Sequence, residues 1–209
     1  MKYDFPDAGI LLFAREPVAG LTKTRLAASL GAQAAVDLYQ QLFSRTAKTA
    51  LQGQLAKVEL WVAGNPRHLL FASLFAPQQI HEQKGKDLGL RMSAAARDGL
   101  TRYGAILLIG ADCPSIDTDY LRLALQSLAS DNTLVLGPAE DGGYVLLGMR
   151  RWSAELFNNI EWGSSRVLQQ TLAAAQLGGY KVTQLETRWD VDRPEDLSRL
   201  ASLSPPIDW

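Results

Sequence analysis

The sequence predicts an α/β fold of three layers, with helices on both faces of a mostly parallel sheet. Two observations predict it. Short apolar runs alternate along the chain with segments whose apolar residues recur at helical spacing. One run, residues 105–109 (AILLI), is apolar at every position, as a central strand covered on both faces must be. The chain has 209 residues, a length that suits one domain, so residues 1–209 are expected to share a single core.

The elements follow in order. Residues 9–13 (GILLF) form a first strand, and Pro17 and Gly20 punctuate the loop behind it. Ala35, Leu38, Tyr39, Leu42, Phe43 and Ala47 lie on one helical face. Residues 58–63 (VELWVA) form a strand closed by Gly64-Asn65-Pro66, and residues 79–82 a short one. An Ala-rich helix spans 88–100. After the strand at 105–109, Ser115 and Asp117 can cap a helix running through Leu121, Leu125 and Leu128. Strands at 133–136 and 144–147 flank the turn Asp141-Gly142-Gly143. Helices are expected at 153–158 and 165–177, a strand at 180–186 and a short helix at 194–200. In such sheets ligands bind beyond the carboxyl ends of the strands, so functional residues should follow strands.

Composition narrows the function. Apolar residues make up 47%, charged residues 21%, and the formal net charge is −1. That balance argues against broad binding to nucleic acid or anionic membrane, while leaving room for a small basic pocket. The one cysteine, Cys113, allows no intrachain disulfide and reads as a small buried residue. Asp4, Pro6 and Asp7 interrupt the start of the chain, which does not read as a signal peptide, and no run reaches the roughly 18 apolar residues of a membrane span. A cytoplasmic protein is expected.

The loop after the first strand carries Arg15, Lys23 and Arg25 around Gly20. A polyphosphate needs such cations together with free backbone N–H groups, and a helix begins soon after. Read alone, the loop is equally an ordinary charged surface loop. Lys23-Thr24 is not the end of a Walker A loop, whose glycines would fall at Pro17 and Thr22. Asp112 closes the most apolar strand and is a natural ligand for Mg²⁺ or Mn²⁺, unless it only braces its loop. Asp192 is a candidate second ligand; with Glu195 it also makes a capping box, with Pro194 in the first turn. Asp190 is a weaker metal candidate. Asp141 sits at a strand tip or in a hairpin turn. Residues 83–92 (QKGKDLGLRM) could line a base or ribose, or open a helix. His68 and His81 read as surface or incidental residues, and HExxH, GxSxG and GxGxxG are absent.

In this order, the segments 13–26 (FAREPVAGLTKTRL), 83–92, 107–116 (LLIGADCPSI), 140–148 (EDGGYVLLG) and 189–197 (WDVDRPEDL) resemble the GT-A superfamily of nucleotide-dependent transferases. More closely the chain resembles a bacterial family of glycosyltransferases of the arsenosugar-biosynthesis type. It is more distantly similar to the guanylyltransferases for phospholactate and molybdenum cofactor. The resemblance implies a GT-A fold. It places Arg15, Gly20, Lys23 and Arg25 at the phosphates, Gly85, Asp87 and Gly89 at the nucleoside, and Asp112 and Asp192 on Mg²⁺ or Mn²⁺. Asp141, Gly142, Tyr144 and Trp162 fall on the acceptor side, with Asp141 as proton acceptor. The chain departs from the family at Arg15, often Lys, and at Gly163, often a hydroxyl residue; Asp112 is not part of an Asp-x-Asp pair. The implied activity is metal-dependent glycosyl transfer from a nucleotide-diphospho-sugar to a small-molecule acceptor. The alternatives are nucleotidyl transfer from a nucleoside triphosphate to a small phosphorylated acceptor, and nucleotide binding without catalysis.

Overall fold

The computed structural model describes residues 2–128, 133–207 and 209. The first strand, β1 (Ala8–Arg15), is followed by α1 (Thr24–Leu30) and α2 (Ala32–Gln52). Next come β2 (Lys57–Ala63), the short α3 (Leu69–Ala72), β3 (Ile80–Glu82) and α4 (Leu88–Gly99). The second half holds β4 (Ala105–Gly110), α5 (Thr118–Ser127), β5 (Thr133–Pro138), β6 (Tyr144–Met149), α6 (Val167–Leu177) and β7 (Lys181–Gln184). The seven strands form one sheet in the order β3-β2-β1-β4-β6-β5-β7. Every pairing is parallel except those of β6, which runs against both β4 and β5.

Alternate residues of each strand face opposite layers. Ile10, Leu12, Leu60, Leu107 and Val135 pack with Phe43, Phe71, Leu121 and Ala124 of α2, α3 and α5. Leu11, Ile106, Leu108, Leu134 and Leu147 pack on the other face with Met92, Ala95 and Ala175 of α4 and α6. This is the three-layer α/β/α arrangement of the nucleotide-diphospho-sugar transferase fold. Leu12 lies on β1 between β2 and β4 and is fully buried. Leu12→Ala is expected to cost about 2–5 kcal/mol in urea denaturation, with the slope unchanged.

Several local expectations change. Residues 153–158 hold only a 3₁₀ turn, Ala154–Leu156, capped by Ser153 and stopped near Asn159, whose φ is +59°. The helix at the C-terminal end is also 3₁₀, Pro194–Ser202. Asp117 alone caps α5, accepting from the Tyr120 N–H at 2.7 Å. Ser115 turns away and donates to the Trp189 carbonyl at 2.8 Å. Neither histidine is incidental. His68 caps α3 by accepting the Leu70 N–H. His81 stacks on Trp61 with its Nε2 3.5 Å from the half-buried pairing of Glu59 with Arg102. Among the described residues, no helix is long and apolar enough to cross a membrane.

Candidate active site

Because the chain passes from β1 toward β2 on one side and returns through β4 on the other, the loops after β1 and β4 diverge. That divergence is the switch point where open α/β sheets bind ligands. A cleft of about 680 Å³ opens there, within the roughly 300–1,000 Å³ of small-molecule sites.

The loop after β1 braces itself. The Thr22 hydroxyl donates to the Glu16 carbonyl at 2.9 Å and accepts the Val18 N–H at 3.1 Å. The N–H groups of Leu21 and Thr22 both close on the Val18 carbonyl. These N–H groups are therefore engaged, and the side chains carry most of the loop's appeal to an anion. Tyr39 of α2 holds the other end: its hydroxyl accepts from Arg15 N and donates to Arg15 O, at 2.8 and 2.9 Å. Lys23, in the left-handed region at φ 51°, caps α1 and turns inward, with only 6% of its side chain exposed. Its ammonium lies 2.6 Å from Asp112 Oδ2 and 3.8 Å from Asp192 Oδ1. Arg25, the second residue of α1, points to the rim and pairs with the other oxygen of Asp192.

The loops bearing the acids are stitched together. Val191 N donates to the Asp112 carbonyl at 3.1 Å, and Ser115 and Cys113 both bond the Trp189 carbonyl. Asp196, not Asp192 with Glu195, accepts the N–H groups of Asp192 and Arg193 at 2.9 and 2.7 Å. The cap sits at Arg193, which puts Asp196 at the third helical position and leaves the Asp192 carboxylate to the cleft.

These contacts set the electrostatics. Burial by itself would raise the Asp112 carboxyl; the Lys23 charge and hydrogen bond outweigh it and hold the group below the usual carboxylate range. Burial would likewise lower the Lys23 ammonium, and Asp112, then Asp192 and Asp190, reverse that and raise it. Among the described residues Asp190 has no cation at ion-pair distance: burial, then repulsion by Asp112, outweigh the pull of Lys23 and push it up to about 6. Burial pushes the Cys113 thiol up to about 12. Cys113 is therefore expected to react with a disulfide reagent at neutral pH only after denaturation; labelling of the native protein within minutes would contradict that packing.

The cleft has two lobes that share Asp112. The larger is lined by Arg15, Lys23, Lys86 and Arg91, together with Asp87 and Asp192. The smaller, about 190 Å³, is lined by Asp112, Asp141, Asp190, Tyr144 and Trp162, with no cationic side chain among the described residues. Gly20, Arg25, Gly85, Gly89 and Gly142 are not part of either lining. Asp87 caps α4 through the Leu90 N–H at 2.8 Å while facing the larger lobe. Gly89 is a close-approach position, since a Cβ there would meet the Trp162 indole nitrogen at 2.1 Å. Gly142, at φ +89°, lets the hairpin turn pass the Ser165 backbone, which a Cβ would meet at 2.2 Å. Sequence reasoning reached Lys86 and Arg91 only as part of the 83–92 segment and missed Tyr39. Tyr39 left one signal, a hydroxyl on an apolar helical stripe that must find a buried partner. Among the described residues, no three His, Cys, Asp or Glu side chains converge as a metal site.

Among solved structures, the chain is similar to a protein of Desulfovibrio desulfuricans G20, provisionally assigned as a nucleotide-diphospho-sugar transferase. The two are 29% identical with a TM-score of 0.82, over 90% of this chain and 84% of that one. It shares its fold with CMP:2-keto-3-deoxy-manno-octonic acid synthetase in complex with CTP, at 10% identity, TM-score 0.61, and 95% and 98% coverage. It also shares it with Rv0371c of Mycobacterium tuberculosis H37Rv in complex with manganese, at 16% identity, TM-score 0.58, and 94% and 98% coverage. No curated protein matches the sequence. Residues 46–164 match the profile of a family described as "uncharacterized protein conserved in bacteria (DUF2064)", and the chain belongs to that family.

Proposed function

We propose that the protein is a glycosyltransferase that takes a nucleotide-diphospho-sugar as donor and passes the sugar to a small acceptor bearing no phosphate. The two-lobed cleft carries this reading. Four cationic side chains in the larger lobe suit a diphosphate. The smaller lobe offers three carboxylates, two aromatic rings and no cationic side chain among its described lining residues, so a phosphorylated acceptor would find no cation of that lobe to receive it. A hydroxyl acceptor would instead find groups able to take its proton. That contrast favours glycosyl transfer over nucleotidyl transfer to a phosphorylated acceptor.

The donor set fits Mg²⁺ or Mn²⁺ in one respect: Asp112 and Asp192 converge on a single cationic point, now held by the Lys23 ammonium. Two carboxylates with phosphate oxygens are a common way to hold such an ion. Bound there, it would offset negative charge on the diphosphate. In our reading Lys23 supplies the buried positive charge as the bond from the anomeric carbon to the diphosphate oxygen breaks, and Arg25 supplements it from the rim. The acceptor oxygen bonds to that carbon and its proton passes to a carboxylate. We assign this role to Asp190 rather than Asp141. Asp141 is exposed and uses one oxygen on the Gly143 N–H at 2.8 Å, whereas Asp190 lies deeper.

Product analysis tests the reaction class. Slow hydrolysis of the correct nucleotide-sugar, with water in place of the acceptor, should release nucleoside diphosphate. Pyrophosphate released from a nucleoside triphosphate, with no diphosphate from any nucleotide-sugar, would establish nucleotidyl transfer instead.

A further inference from the structure

The ammonium of Lys23 stands where the metal reading puts a divalent ion. The two carboxylates around it cannot easily separate. Their loops are joined by the bond from Val191 N to the Asp112 carbonyl and by two bonds to the Trp189 carbonyl. Lys23 comes from a different loop, on a four-carbon stem that can swing by side-chain rotation alone. For both to stay ionised, two fixed carboxylates this close to one point need a positive charge. Lys23 supplies it from within, at 2.6 Å from Asp112 and 3.8 Å from Asp192.

We infer that Lys23 is a tethered counter-ion that keeps the Asp112–Asp192 pair closed to divalent cations until a nucleotide diphosphate arrives. A metal ion arriving alone must evict a buried ammonium from both of its ion-pair partners. When a diphosphate enters the larger lobe with the metal, the ammonium moves from carboxylate to phosphate and keeps an ionic partner throughout. Metal and nucleotide thus bind with positive coupling, each strengthening the other by the same factor. This inference rests on the reading of Asp112 and Asp192 as metal ligands.

The test is Mn²⁺ binding, followed by calorimetry or by the electron paramagnetic resonance of free Mn²⁺, with and without GDP, UDP, CDP or ADP. Without nucleotide, wild type should bind Mn²⁺ weakly and Lys23→Met about ten-fold or more tightly. The nucleotide that binds wild type should raise its Mn²⁺ affinity strongly and that of Lys23→Met much less. Lys23→Gln, which keeps a hydrogen-bond donor without the charge, should behave as Lys23→Met does and substitutes for it if the methionine variant is insoluble. Mn²⁺ binding by both variants no tighter than by wild type would overturn the inference. If wild-type binding of Mn²⁺ with nucleotide then still depends on Asp112, the metal reading survives that loss. If tight Mn²⁺ binding by Lys23→Met persists after Asp112→Asn and Asp192→Asn, the ion sits elsewhere and both fall.

Discussion

Asp112→Ala is expected to abolish metal-dependent nucleotide binding. Asp112 is part of the wall common to both lobes, the closest partner of Lys23, and one of the two acids converging on the cation point. Its loss leaves the Lys23 ammonium facing Asp192 at 3.8 Å and takes away half of the proposed metal's protein ligands. A nucleoside diphosphate at a hundred times its Kd adds about 2.7 kcal/mol to wild-type stability. In thermal-shift titrations with GDP, UDP, CDP and ADP, one of them should raise the wild-type midpoint with Mn²⁺ and not with EDTA, and none should raise that of the variant. Donor turnover should fall by about 10²–10³-fold, the effect of deleting one electrostatic contact to a developing charge. The unliganded variant should lose only about 1–2 kcal/mol, because 36% of the Asp112 side chain is open to the cleft and solvent screens the broken pair. Nucleotide binding indifferent to both metal and Asp112 would favour a binding protein without catalysis.

Asp190→Asn should lower kcat by about 10²–10⁴-fold, the range for removing a positioned proton acceptor. The amide nearly matches the carboxylate in size, so the smaller lobe keeps its shape, and donor affinity should stay within about two-fold of wild type because Asp190 lies outside the larger lobe. Asp141→Asn is the control, expected to retain most activity. Donor turnover that survives Asp190→Asn and collapses in Asp141→Asn would return proton acceptance to the hairpin tip.

The layers of the fold were legible because its central strands are continuous apolar runs. AILLI at 105–109 has no polar position that could face solvent, and the structure covers both of its faces. The place of β6 was less legible. Asp141-Gly142-Gly143 marks a turn, and a turn does not say that the returning strand will slot between β4 and β5. That is decided by the fit of Leu146, Leu147 and Met149 to two cores far away in sequence. The site was legible as segments rather than as contacts. Lys23 and Arg25 are equivalent in sequence, yet the left-handed backbone at Lys23 sends one inward, and the helix starting at Thr24 sends the other to the rim. The ion pair of Lys23 with Asp112 joins residues 89 positions apart, and only strand order brings them together.

The single reversed strand has a consequence for how such a protein can change. Loops after β1 and β4 lead into helices that must return to fixed places in the layers, so their lengths are constrained. The tip between β5 and β6 joins two strands paired to each other, with Pro138 opposite Tyr144 and a bulge at Gly137/Pro138. Added residues there would leave the ladder anchored at both ends, and would have to bulge around two bonds of the tip: the Leu168 N–H of α6 to the Gly142 carbonyl at 2.9 Å, and the Glu140 N–H to the Arg188 carbonyl at 3.2 Å. The acidic lobe thus borders a turn set between two paired strands, while the basic lobe is built from loops that lead into helices. If the proposed reading holds, changes confined to that hairpin would alter the acceptor side and leave the loops around the diphosphate as they are.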